Sequence, residues 1–181
     1  VHFELSYDKF QVKGDRLYRV ALENTITDKP SPSATNHPAV GPAMELDFPE
    51  VEASTRFIRT SFFVNTLTVS YLGKDGEQKT FVEDKMYMAD SPFLTMFSYP
   101  LIEGDPQTAL KAPRSVVISE TMKQKYFGNE PAMGKEISIN RELNLVVTGV
   151  MKDIPPNSHL SFNSLISFST LGEKWGHDQW R

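Results

Sequence analysis

The chain has 181 residues, a formal net charge of −4 and 39% apolar residues. That is enough for one domain or two small subdomains with a real core, and it excludes global disorder. Lys and Arg are scattered among Asp and Glu, which excludes the clustered positive surface of a nucleic-acid binder. The absence of cysteine excludes disulfides, thiolate catalysis and zinc–thiolate sites.

No apolar run approaches the roughly 18–20 residues that span a bilayer, and no signal peptide is expected within these residues. The first residue is Val1 rather than Met, so the chain is expected to be cut from something longer.

In chain order, Phe3, Tyr7 and Phe10 are spaced for one face of a short helix over 2–13, ended by Gly14 and Asp15. Residues 17–22 read as a strand, and the proline-rich stretch 28–38 as a loop. Asn36 is placed to cap a helix over about 37–48, with Val40, Met44 and Phe48 on one stripe. Residues 51–64 read as a strand. Strands at 66–72 and 78–88 follow, joined by Gly73-Lys74-Asp75-Gly76, a hairpin signal because glycine accepts positive φ. Asp90 or Ser91 is placed to cap a short helix bearing Phe93, Leu94 and Phe97. Residues 115–118 are a buried strand. Ser119 caps a helix over 120–127, and Gly128 ends it. Residues 135–139 and 143–151 read as an antiparallel pair. A strand at 161–168 and a helical turn at 170–175 complete the series. Strands in runs with few helices between them predict an α+β fold.

Candidate chemistry is sparse. Asp153, Ser158 and His159 lie within seven positions, which invites a hydrolase reading. Adjacent Ser158 and His159 point to opposite faces of an extended chain, however, whereas a nucleophile and its base must meet. Residues 128–135, Gly-Asn-Glu-Pro-Ala-Met-Gly-Lys, miss the phosphate-binding loop. Five residues separate the glycines, and Glu136 replaces the hydroxyl that would hold magnesium. The stretch reads as a helix C-cap and connecting loop. His2, His37, His159 and His177 include no i, i+4 metal pair. The carboxylates Asp47, Glu50, Glu52, Glu83 and Asp84 read as solvated faces, and most of the aromatics as core.

Several segments, taken in order, carry a resemblance. Residues 3–10 hold Tyr7, Asp8 and Phe10, and residues 15–20 hold Tyr18 and Arg19. Residues 87–97 hold Asp90, Phe93 and Phe97, and residues 101–106 hold Gly104 and Asp105. Ser119, then Tyr126, Phe127 and Gly128, then Gly134 and Lys135 follow. The set closes with Gly149, Asp153, Pro155, Pro156, Asn157, Ser158 and His159. In this order they resemble the extracytoplasmic core domain of MacB-type, FtsX-like ABC transporter permeases, in the variant common in Bacteroidetes.

The resemblance implies a domain inserted between two transmembrane helices on the periplasmic side of the inner membrane. It implies a porter-like βαβ part from 1–64 plus 150–181 and an inserted β-rich, Sabre-like part at 65–149. The residues just named are then structural signature positions, not catalytic, cofactor or metal sites. The ATP-binding motifs of the family lie on a separate nucleotide-binding domain or subunit, so the chain itself is expected to hold no cofactor. The implied partners are its own transmembrane helices, that ATP-binding subunit, and a periplasmic adaptor or substrate. The function implied is non-catalytic coupling of ATP-driven helix motion to export or mechanotransmission. The alternative is a ligand-binding or sensing domain for a peptide, lipid or antibiotic.

Overall fold

Segments dense in β-branched residues form the strands, and the short helices begin where proline or serine opens the first turn. The computed structural model describes residues 6–24 and 31–172. A two-stranded ribbon pairs β1 (Leu22–Asn24) with β2 (Ser31–Ser33), and α1 (Val40–Asp47) follows. Every other strand belongs to one sheet. These are β3 (Phe57–Arg59), β4 (Leu67–Leu72), β5 (Gln78–Glu83), β6 (Met86–Ala89), β7 (Leu101–Glu103), β8 (Ser115–Ser119), β9 (Glu136–Ile139), β10 (Leu143–Met151) and β11 (Ser164–Ser167). Two helices pack on it, α2 (Phe93–Met96) and α3 (Glu120–Phe127). The fold is α+β, as expected.

The strand order is β3-β6-β11-β8-β10-β9-β4-β5, with β7 beside the end of β10. β8 and β10 are parallel, joined by a crossover through α3, and β6 and β11 are also parallel. The other pairings are antiparallel. β10 changes neighbour midway. Residues 143–146 pair with β9, and Val150 and Met151 pair with β7. The handover falls at Thr148, where the register with β8 also shifts. Gly104, at φ +96°, lies against this bulge, and a Cβ there would sit 2.6 Å from the Thr148 carbonyl.

The core divides by sheet face, because alternate strand residues point to opposite sides. Val116, Ile118, Met86, Met88, Val150 and Ile166 face α3, with Met122, Tyr126 and Phe127 packed on them. Val117, Ala89, Met151 and Leu165 face the other way, toward Phe93, Leu94, Tyr99 and Phe162. Strands on both sides of the 64/65 and 149/150 positions share this sheet, and β10 runs through the second of them.

The sheet curls around α3. The last carboxylate of β5, Glu83, is only 6% exposed. It accepts bonds from the Tyr126 hydroxyl at 2.8 Å, the Lys125 ammonium at 2.7 Å and the Asn163 amide at 2.8 Å. A strand at one end of the sheet order is thereby tied to the helix and to the approach to β11.

Several expectations need correction. The loop expected over 28–38 holds β2, and Asn36 does not cap α1, because its amide donates to the Val20 carbonyl at 2.8 Å. Neither Asp90 nor Ser91 caps α2 with its side chain, since the Asp90 carboxylate is taken by Arg56. The strand expected over 161–168 is Ser164–Ser167, and the turn expected over 170–175 is a 3-10 turn over Phe168–Leu171. Residues 6–16 form turns and a 3-10 turn over Gly14–Arg16 instead of a helix, because Asp8 adopts φ +54° to meet a distant loop; residues 2–5 lie outside the described residues. The strand expected over 17–22 begins only at Leu22. The strand expected over 51–64 shrinks to β3, and a 3-10 turn over Thr60–Phe62 follows, pinned by the Thr60 hydroxyl donating to the Met86 carbonyl at 2.8 Å. The strand expected over 78–88 is two strands, β5 and β6, broken where Glu83 turns inward.

Gly104→Ala is expected to cost roughly 3 kcal/mol, combining backbone strain with overpacking against the bulge. Gly76→Ala shares a positive φ but meets no atom within 4 Å. It is expected to cost about 1 kcal/mol. Urea denaturation of the two variants checks the difference.

Candidate functional site

The signature residues at the two ends of the described chain converge. The Asn157 amide donates to the Ser6 carbonyl at 3.0 Å, and the Asp8 backbone N–H donates to the Asn157 carbonyl at 2.9 Å. The Asp8 carboxylate accepts the His159 backbone N–H at 3.1 Å and meets the His159 ring Nδ1 at 2.6 Å. The Tyr7 ring lies 4.8 Å from the His159 ring. The Ser6–Asn157 and Asp8–His159 bonds join positions 151 residues apart. Farther along, the Gln11 side chain accepts the Ser98 N–H at 2.7 Å, and Val12 N–H donates to the Ser98 hydroxyl at 2.9 Å. Lys13 donates to the Thr95 carbonyl at 3.0 Å. Residues 6–13 are thus clasped to the 157–159 loop and to the end of α2.

Local chemistry shapes the loop. Pro155 and Pro156 restrict the backbone, and Ser158 N–H closes a turn onto the Pro155 carbonyl at 3.1 Å. The Ser158 hydroxyl accepts from Leu160 N–H at 3.2 Å and shares a 3.0 Å hydrogen bond with the Tyr99 hydroxyl. Burial raises the Tyr99 pKa above its ordinary value despite that Ser158 bond, and the Asp8 charge adds to the rise. Ser158 is therefore a turn-maker held by a tyrosine, and His159 is oriented by Asp8 away from it. That is not the geometry of a nucleophile and its base.

Asp153, where the loop leaves β10, accepts the Thr121 N–H at 3.1 Å and the Thr121 hydroxyl at 2.6 Å. It thereby caps the first turn of α3 beside Ser119, whose hydroxyl accepts Met122 N–H at 3.2 Å. Partial burial works against the Asp153 charge. The Thr121 hydroxyl and N–H, with the Ser119 hydroxyl, outweigh it and hold the carboxyl below its usual range.

Most of the other residues named from the sequence make contacts within the scaffold. Asp90 forms a bidentate pair with Arg56 at 2.8 Å, and Arg56 also stacks over Phe168 at 4.3 Å. Phe93 and Phe97 pack 4.7 Å apart against the second core face. Gly149 lies on β10 beside the Gly104 contact, and Asp105 closes the next turn through Gln107 N–H at 3.0 Å. Tyr126 and Phe127 anchor α3, and Gly128, at φ +59°, ends it. After Gly134, Lys135 pairs with Glu130 and lies over the rings of Tyr71 and Phe127. Its ammonium is committed to these contacts, so the 128–135 stretch is a capped turn and not a phosphate cradle. Tyr18 is 88% exposed and Arg19 is exposed, both apart from the clasp. Among the described residues no group of three His, Asp or Glu side chains could hold a metal. His2 and His177 lie outside the described residues.

Sequence reasoning missed Ser6, Gln11, Ser98, Tyr99 and Thr121. Each is an ordinary polar residue that gains a role only from a long-range partner. A shallow groove of about 500 Å³ between α1 and the start of α2 is lined by Glu45, Leu46, Ser54, Arg56, Asp90 and Lys111, among others.

Asp153→Ala is expected to cost up to about 1 kcal/mol at pH 7, the lower part of the capping range because the site is exposed. The folded pKa lies below the unfolded one, so the charge-dependent part is complete above the ordinary Asp range. It fades as pH falls through the lower folded value. Urea midpoints of the parent and variant at pH 7 and pH 2.5 check that the difference shrinks in acid.

No curated protein matches this sequence. Solved structures share the fold, two of them as follows. A domain of a putative permease protein from Porphyromonas gingivalis matches at 24% identity and TM-score 0.58, over 80% of this chain and 63% of that one. The periplasmic region of MacB from Actinobacillus actinomycetemcomitans matches at 20% identity and TM-score 0.50, over 69% of this chain and 52% of that one. The chain thus spans less than two thirds of either structure. No helix among the described residues is long and apolar enough to cross a membrane. The family model for the MacB-like periplasmic core domain matches residues 1–181, and the chain belongs to that family of periplasmic permease domains.

Proposed function

We propose that the chain is a non-catalytic module of an ABC transporter permease that carries ATP-driven motion of the transmembrane helices to a substrate or partner outside the membrane. The observation that supports this reading is the clasp. Residues 6–13 are held by directed hydrogen bonds to the 157–159 loop and the end of α2. A segment held at several points moves with the body it is attached to, whereas a free segment would absorb the motion by changing its own dihedrals. In this reading ATP binds a separate nucleotide-binding subunit, and the 65–149 part moves with the rest through the shared sheet.

In the complete permease, the double variant Asp8→Ala, Asn157→Ala is expected to lower transport several-fold while ATP hydrolysis continues. Transport at the parental rate, with NMR showing residues 6–13 released, would count against mechanical coupling.

The rival reading is a sensor that takes a peptide, lipid or antibiotic. The groove beside α1 is its natural seat, but there Arg56 and Asp90 satisfy each other, and Glu45 binds Ser54. A thermal-shift screen of the isolated chain with these ligand classes is expected to give no saturable stabilisation. A saturable shift abolished by Arg56→Ala would favour the sensor.

A further inference from the structure

Residues 39–55 form a loop pinched at its base. Arg56 donates from Nη1 to the Pro38 carbonyl at 3.3 Å and grips the Asp90 carboxylate through Nε and Nη2 at 2.8 Å. Both feet of the loop are thereby fixed beside the end of β6. Ala39, at the first foot, is buried. Within the loop, Glu45 Oε1 accepts the Ser54 N–H at 2.6 Å. Gly41 brings the helix close to the same residue, since a Cβ there would sit 2.8 Å from the Ser54 hydroxyl. α1 and the returning chain therefore hold together as one unit. Among the described residues, the side-chain bonds of that unit to the chain beyond its base are confined to the Arg16–Glu52 pair. Both partners are exposed, and such pairs contribute little.

The groove of about 500 Å³ lies between this unit and the sheet. Its two walls match each other. Pro42, Leu46 and Glu45 line the α1 side, and Pro92, Leu110 and Lys111 line the other. Leu46 is 87% exposed, although it faces a wall that is apolar in part. The second oxygen of Glu45 accepts no bond among the described residues, and the Lys111 ammonium donates none.

We propose that the 39–55 loop is a flap, hinged at Pro38 and Arg56, that closes this groove. Closure seats Leu46 against Leu110 and Pro92 and brings the Lys111 ammonium to the second oxygen of Glu45. Removing a large aliphatic side chain from water is favourable, and so is the approach of opposite charges. Neither gain requires breaking the Glu45–Ser54 bond or the Arg56–Asp90 pair, so the unit moves whole and a few residues at its base absorb the change. The closed flap shuts ligands out of the groove and withdraws Leu46 from the surface. The inference rests on the two groove walls and is independent of mechanical coupling.

The chain has no cysteine, so two introduced thiols report closure. Under mild oxidation, Leu46→Cys with Ser91→Cys is expected to form an intrachain disulfide at least about tenfold faster than Asp47→Cys with Ser91→Cys. Ser91 and Leu46 line the groove, whereas Asp47 does not. Adding Lys111→Glu, which removes no described side-chain bond, is expected to slow the first pair at least about threefold. In the chain without cysteines, NMR is expected to show magnetisation transfer between the Leu46 and Leu110 methyl groups. Lys111→Glu is expected to weaken it while the β8 amides keep their shifts. Equal rates for the two cysteine pairs, a rate indifferent to Lys111→Glu, or Leu46 methyl groups with no transfer to Leu110 would each overturn the proposal.

Discussion

A buried carboxylate costs several kcal/mol unless both oxygens find strong donors. Glu83 meets that demand only where Tyr126, Lys125 and Asn163 surround it. Those donors come from α3 and from the chain before β11, whereas Glu83 closes β5. The carboxylate is satisfied only if the sheet curls until its last strand reaches the helix. Burial raises the Tyr126 pKa far above its ordinary value, and the Glu83 hydrogen bond and charge add to the rise. The neutral, donating form of the tyrosine is therefore favoured beside Glu83. With α3 fixed in the hollow, its N-terminus comes to Asp153, which sets the course of the 153–159 loop. That loop in turn holds residues 6–8. The clasp lies downstream of a bond formed on the other side of the molecule.

The two core faces divide the labour. The face toward α3 runs the breadth of the sheet, from Met86 and Met88 through Val116 and Ile118 to Val69 and Tyr71. Among the described residues the opposite face is covered from β3 to β10, where Phe57, Phe93, Tyr99 and Phe162 pack. Beyond it, Leu72, Val82 and Val146 stand exposed. The strands that carry the clasp are thus buried on both sides, while the β4–β5 hairpin is buried on one. Two-sided packing is concentrated in the centre of the sheet, and one-sided packing at the hairpin.

Much of the fold was legible because local chemistry and tertiary structure agree. Val116-Val117-Ile118 is apolar on both faces, as a central strand must be, and Ser119 and Gly128 delimit α3 with their own hydrogen bond and positive φ. Asp75-Gly76 marked the hairpin, and residues 135–151 marked β9 and β10. The failures arise where a distant partner overrides local preference. Tyr7 and Phe10 have helical spacing, yet Asp8 leaves helical geometry to reach His159. Residues 78–88 read as one strand because no local property distinguishes Glu83 from an exposed glutamate. Of the clasp residues, Tyr7, Asp8, Asn157, Ser158 and His159 were marked only by their order along the chain. Their meeting could not be read from spacing, because pairing across 151 residues leaves no local periodicity.

The change of neighbours along β10 has a consequence for how such a domain diversifies. Its nine residues extend about 30 Å. The first four lean on β9 and, through it, on the hairpin, and the last two lean on β7. The bulge at Thr148 separates the two allegiances, so a register change on the hairpin side can end there without disturbing the pairing of Val150 and Met151 with β7. A domain built this way can acquire a new surface at the hairpin while the hydrogen bonds between residues 6–8 and the 157–159 loop stay as they are.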